Sequence, residues 1–161
     1  MPKQIPCLWM NGTAEEAAKH YLSIFPNSSI DQITRYGPDM PPPMEEGDVL
    51  TVDFTLDGQP YTALNGGPQF PFSEAISFQI VCKDQEESDR YYDRLVDGGE
   101  ESMCGWLKDK FGVSWQVFPE ELIQLTNDPD PGRAQRATQA MLQMRRIDMA
   151  EIRRAADSVS V

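Results

Sequence analysis

Histidine is almost missing from this chain: among 161 residues only His20 carries an imidazole. A single imidazole excludes a two-histidine metal site and a histidine-dependent triad within one chain. Cysteine is scarce too. Cys7, Cys82 and Cys104 are odd in number, widely spaced and outside any C-x-x-C, which argues against a disulfide framework or a zinc knuckle and reads as reduced thiols. Positive charge is in short supply, with 14 Lys and Arg against 26 Asp and Glu, a net charge of −12. Such a chain repels a phosphate backbone, and nucleic acid is not an expected partner. No apolar run approaches the roughly 20 residues needed to cross a bilayer, so no membrane span is expected. The opening MPKQIPCLWMN lacks the apolar stretch of a secretory leader, and a cytoplasmic location is the expectation. What is present, 40% hydrophobic and 25% charged residues, suits a single globular domain over 1–161.

The chain repeats itself. TAEEAAKHY (Thr13 to Tyr21) and DQEESDRYY (Asp84 to Tyr92) each open with a capping type followed three residues on by Glu, the box that satisfies the orphan N–H groups of a helix start. Ala14, Ala17, Ala18, Tyr21 and Phe25 share one face of the first helix, and Ser88, Tyr91, Tyr92, Leu95 and Val96 one face of the second. At the same offset IPCLWMN lies over ISFQIVC, where Ile76, Phe78, Ile80 and Cys82 alternate with more polar neighbours as in a strand. Asp57-Gly58 in the first half and Gly112 in the second mark hairpins. The expected fold is therefore α+β: two β-α-β-β-β modules, about 1–70 and 71–120, with a helical tail over 121–161.

Within the tail, Asp130 before Pro131 and Asp148 with Glu151 predict two short amphipathic helices. Between the elements, GPDMPPPMEEGD (Gly37 to Asp48) reads as a stiff exposed loop, open to two interpretations, a lid or a plain insertion. The Asp-x-x-Gly of CGWLKDKFGVSWQVFP bends a hairpin that carries Trp106 and Trp115; alternation puts Trp115 in the core and Ser114, Gln116 and Phe118 on the opposite face.

These paired modules, together with LWMNGTAEEAAKHYLSIFPNSSI, TALNGGPQFPFSEAISFQIVCKDQEESDRYY and GWLKDKFGVSWQ, resemble the PhnB-like branch of the vicinal oxygen chelate superfamily. The likeness runs over nearly the whole chain, RRIDMAEI included. It implies a curled mixed sheet around a cleft and a homodimer. In metal-using members a divalent ion is held there by His, Glu or Gln. Matched position by position, the ligands of this sequence fall on Pro6, a residue near Thr62, Ser77 and Gln116, so no metal is expected. Some members of the branch are labelled 3-demethylubiquinone-9 3-methyltransferase, which implies S-adenosylmethionine. No G-x-G-x-x-G turn stands between a strand and a helix here, and no cofactor is expected.

Aromatic walls with a few amides and hydroxyls suit a small organic ligand. The candidate ligand-binding residues are Asn65, Phe70, Phe72, Ser77, Gln79, Trp106 and Gln116, with Phe70 and Phe72, stiffened by Pro68 and Pro71, forming an aromatic flap. Polar groups that merely satisfy one another in a filled core are the competing interpretation of the same residues. Three functions remain open on this basis: a metal-free small-molecule binding protein, an enzyme of unassigned reaction, and a partner-binding protein.

Overall fold

The computed structural model describes residues 3–158, which fall into two compact units, Met1–Phe72 and Ser73–Val161. The first contains β1 (Cys7–Met10), α1 (Ala14–Leu22), β2 (Ser29–Arg35), β3 (Val49–Leu56) and β4 (Gln59–Asn65). The second repeats the pattern with β5 (Phe78–Cys82), α2 (Gln85–Val96), β6 (Glu100–Glu101), β7 (Trp106–Lys108) and β8 (Ser114–Pro119). It continues into α3 (Glu120–Thr126), α4 (Pro131–Leu142) and α5 (Met149–Asp157), three helices where the sequence suggested two. α3 follows β8 without a linker and spans two turns, too short for periodicity to reveal it.

Both sheets have four strands in the same spatial order, β1-β4-β3-β2 and β5-β8-β7-β6. In each, the first strand runs parallel to the last and the other pairs are antiparallel. Neither sheet closes, and the two-module α+β expectation holds.

Each helix covers one face of its own sheet. On α1 the buried residues are Ala14, Ala17, Ala18 and Tyr21, facing Leu8, Met10, Val52, Phe54 and Ala63. On α2 they are Ser88, Tyr91, Tyr92 and Leu95, facing Cys82, Leu107, Trp115 and Val117. The two starts differ in chemistry. Asp84 caps α2 by accepting from the Glu87 N–H at 2.9 Å. Thr13 makes no such bond, and the first N–H of α1, that of Ala14, donates instead to Asn65 Oδ1 at 2.9 Å.

Pairing also corrects the alignment of the halves by one residue. Cys7 sits beside Thr62 and Gln79 beside Gln116, so Cys7 and not Leu8 corresponds to Gln79. The cause is the connection to the helix: Asn11 and Gly12 precede the cap in the first half, Lys83 alone in the second. Ser77 therefore corresponds to Ile5 rather than to Pro6, whose carbonyl is taken by the Thr62 N–H at 2.9 Å.

A further core, in the second unit, joins Phe118 to Leu122, Leu125, Ala137, Ile147, Met149, Ile152 and Ala156 of the helical segment. Among the described residues no helix is long and apolar enough to cross a membrane.

Candidate functional site

Strand pairing in the second unit sets Gln79, Gln116 and Trp106 side by side in one row. Lys108 stands opposite Ser114 in the next row, with Glu100 beyond it. Because side chains alternate, all of these lie on the face away from α2, while Phe78, Leu107, Trp115 and Val117 point to the helix. Four of the seven candidate residues thus meet on one surface: Ser77, Gln79, Trp106 and Gln116. The Gln116 Nε2 donates to Ser77 Oγ at 2.8 Å. Gln79 is exposed, and Ser77, Trp106 and Gln116 are half-buried.

The hairpin that carries this row is fixed from below. Asp109 is 3% exposed, and its carboxylate accepts from the N–H groups of Phe111 at 2.8 Å and Val113 at 3.1 Å and from the Trp115 indole at 2.8 Å. Gly112 takes the left-handed conformation that closes the turn, φ 87°. Asp-x-x-Gly is therefore a structural pin that lets a tryptophan be buried with its N–H satisfied.

Beside Trp106 lies a cavity of about 110 Å³ lined by Glu74, Glu100, Trp106, Lys108 and Ser114 among others. Lys108 and Glu74 form an ion pair at its rim, which raises the lysine pKa and lowers that of the carboxylate. Ser114 is 2% exposed, and its hydroxyl has no hydrogen-bond partner among the described residues. Sequence reading put Ser114 on this face but had no means of finding the unpaired hydroxyl, the Glu74 pairing or the burial of Asp109, which all depend on contacts across the hairpin.

The other three candidates lie in the first unit. Asn65 is committed at both ends of its amide, to Ala14 N and, through Nδ2, to the Val49 carbonyl at 3.1 Å. Its own carbonyl accepts from the Tyr36 hydroxyl. Gly66 is required because a Cβ there would sit 2.3 Å from the Trp9 ring. That indole donates to the Gly67 carbonyl at 2.9 Å, and Phe70 packs edge-on against it at 4.9 Å. Phe70 nevertheless remains 65% exposed, and Phe72 is half-buried. A separate cavity of about 350 Å³ in this unit is lined by Asn11, Glu15, Tyr36, Met44, Asp48 and Asn65 among others. The proline-rich loop contributes Pro43 and Met44 to its wall. Its neck is closed by Tyr36 N to Asp48 O at 2.8 Å and Gly47 N to Tyr36 O at 2.9 Å.

The three thiols are not activated. Burial, with help from Glu87, pushes Cys82 up to about 12. Cys7 and Cys104 are also raised, chiefly by burial, so none has the lowered pKa of a nucleophile.

Residues 2–118 match the family described as 3-demethylubiquinone-9 3-methyltransferase. Among solved structures, the chain is 35% identical to a putative 3-demethylubiquinone-9 3-methyltransferase, PhnB protein, from Bacillus cereus, with a TM-score of 0.66. That match covers 73% of this chain and 99% of the other. Protein PA1353 from Pseudomonas aeruginosa is 20% identical over 74% of this chain and 98% of its own, with a TM-score of 0.62, a likeness of fold. A fosfomycin resistance protein from Listeria monocytogenes, FosX, solved with Mn(II) and 1S,2S-dihydroxypropylphosphonic acid, is 18% identical over 71% of this chain and 88% of its own, with a TM-score of 0.47. No curated protein matches.

Two groups, a divalent ion raised by the sequence resemblance and S-adenosylmethionine raised by the family description, can be tested against the side chains. For a divalent ion, the ligand positions offer the Thr62 hydroxyl in the first unit and, in the second, the Ser77 hydroxyl and the Gln116 amide. Thr62 already donates to Asp53 at 2.7 Å and Gln116 to Ser77. This set lacks the charge and basicity that hold a hard or borderline cation. Among the described residues no three His, Cys, Asp or Glu side chains converge to bind one. For S-adenosylmethionine, the strand-to-helix turns are Asn11-Gly12-Thr13 and Lys83-Asp84. They carry one glycine between them, set in mixed sheets rather than a doubly wound parallel one, and do not fit a nucleotide-type cradle.

Proposed function

This chain belongs to the family described as 3-demethylubiquinone-9 3-methyltransferase, the PhnB-like branch of the vicinal oxygen chelate superfamily, and from that premise we propose that it binds a small organic molecule without a metal ion, on the polar face of its second sheet. The observation that carries this reading is the hydroxyl of Ser114. A buried hydroxyl without a partner costs about 1–3 kcal/mol, and chains rarely retain one that nothing satisfies. Ser114 lines a cavity walled by Trp106, next to the row of Gln116 and Gln79, so a polar group that enters there and displaces the atoms covering the hydroxyl gains a hydrogen-bonding position beside an aromatic surface. Gln116 and Ser77 orient such a ligand from the neighbouring row.

The test uses protein labelled with 5-fluorotryptophan and a panel of small aromatic acids, amides and amines. One or more should shift the Trp106 resonance saturably, and Gln116→Ala should weaken that binding about tenfold, the loss of one hydrogen bond. If no compound at millimolar concentration moves Trp106, the site is not there.

An enzyme of unassigned reaction is the second reading. It is favoured by the hydrogen-bonded Gln116 and Ser77 pair, whose groups can polarise a carbonyl. It requires that Ser77→Ala or Gln116→Ala abolish turnover in an activity screen while the fold survives. For either role the proposed working state is a cytoplasmic homodimer; the free thiols of Cys7, Cys82 and Cys104 support a reducing compartment.

A further inference from the structure

We infer that the helical segment after residue 118, beyond the part of the chain that the family match covers, is the positioning element for Trp106, with Gln85 and Ile147 as its positioning residues. The inference rests on the reading of Trp106 as part of a ligand site.

The argument begins at the turn before β7. Cys104 and Gly105 are consecutive residues in the left-handed region, φ 60° and 83°. For Cys104 this conformation costs about 1–2 kcal/mol, so the surroundings must impose it. They do so from the segment between α4 and α5. The Cys104 N–H donates to the Met144 carbonyl at 2.8 Å, and the Gly105 N–H to the Arg145 carbonyl at 2.7 Å. The Gly105 carbonyl in turn accepts from Val117 N at 2.9 Å, which ties the turn to β8. Ile147, fully buried, fills the space beside Gly105: a Cβ at 105 would lie 3.0 Å from its Cγ1 and 2.8 Å from the Val117 carbonyl. Trp106 is the next residue, so its register opposite Gln116 is dictated by this clasp.

The segment is itself anchored to α2. The Gln85 side chain donates to the Ile147 carbonyl and accepts from Met149 N, both at 2.8 Å. Arg146 lies over the Tyr92 ring, 4.6 Å from its centre, and pairs with Asp89 and Asp93. The same segment buries Phe118, two residues along β8 from Gln116 and on the same face. One end of the candidate surface is thus built by residues outside the family match.

The test requires no ligand, so its outcome is separate from that of the binding panel. In full-length protein labelled with 5-fluorotryptophan, Gln85→Met, which removes both of these hydrogen bonds and a third to Asp89 at similar volume, and Ile147→Ala should each shift or broaden the Trp106 resonance. Trp9, in the other unit, and Trp115, pinned by Asp109, should stay in place. A change confined to Trp106 is not what general destabilisation produces. Should both variants fail to fold, hydrogen exchange of the unmodified protein decides: the amides of Cys104 and Gly105 should exchange in step with that of Met149, as one cooperative unit. An unmoved Trp106 in folded variants, or Cys104 and Gly105 amides exchanging at least about tenfold faster than Met149, overturns the inference.

Discussion

Asp109 shows how much one side chain decides in this protein. Its carboxylate satisfies two turn amides and the indole of the most deeply buried tryptophan, so its removal takes this acceptor from three donors, two of them in buried bonds. Asp109→Ala should cost about 3 kcal/mol or more, read as a lower urea midpoint and a weakened near-ultraviolet signal from Trp115. An unchanged midpoint would remove Asp109 from this role. The sequence marks the position only as a turn residue, because Asp before Gly is a common turn signal and burial is invisible to it. Ser114 was placed on its face by alternation alone, yet the lack of a partner for its hydroxyl depends on which strands flank it.

At the level of elements, the two copies of one module have solved the same problem differently. Asp84 caps α2 with its own side chain, whereas the start of α1 is held by Asn65 from the end of β4. Asp84→Ala should therefore cost about 1 kcal/mol, and Thr13→Ala markedly less. Asn65→Ala should exceed Thr13→Ala, since it frees both Ala14 N and the Val49 carbonyl. Thermal unfolding of the three variants checks the order, and a larger loss from Thr13 than from Asn65 contradicts it. Capping-box spacing predicted both helices, and both are present. It placed the first cap at Thr13, where it is, but not the bond that holds it, because the competing acceptor, Asn65, lies 52 residues along the chain from Thr13.

Across the whole molecule, alkaline pH offers a direct test of the core between α2 and the second sheet. Burial first, then Glu87, raises the Cys82 thiol from 9.0 to about 12. Burial first, then Glu101, raises the Tyr92 phenol from 10.0 to about 12. Above pH 9 the unfolded chain gives up these protons while the folded chain keeps them. The stability they contribute is therefore complete below pH 9 and is lost progressively as pH climbs towards 12. The melting temperature should fall steadily through that window, and a flat profile would count against buried, protonated Cys82 and Tyr92. Assembly is tested at the same scale: sedimentation at micromolar concentration should give about twice the 18.2 kDa chain mass, and a species of single-chain mass rejects the proposed dimer.

The sequence by itself determined the duplicated β-α-β-β-β plan, the helix faces, the burial of Trp115 and the sharing of one face by Gln116 and Ser114. All of these follow from local periodicity, capping chemistry and turn residues, which act over a few positions of chain. Only the tertiary structure decided the one-residue shift between the strands of the two halves, the pairing of Trp106 with Gln116, the commitment of Asn65 to internal bonds and the clasp of residues 144–149 on Cys104 and Gly105. Each depends on groups far apart in sequence meeting at hydrogen-bond distance, and strand register and packing, rather than residue type, select which groups those are.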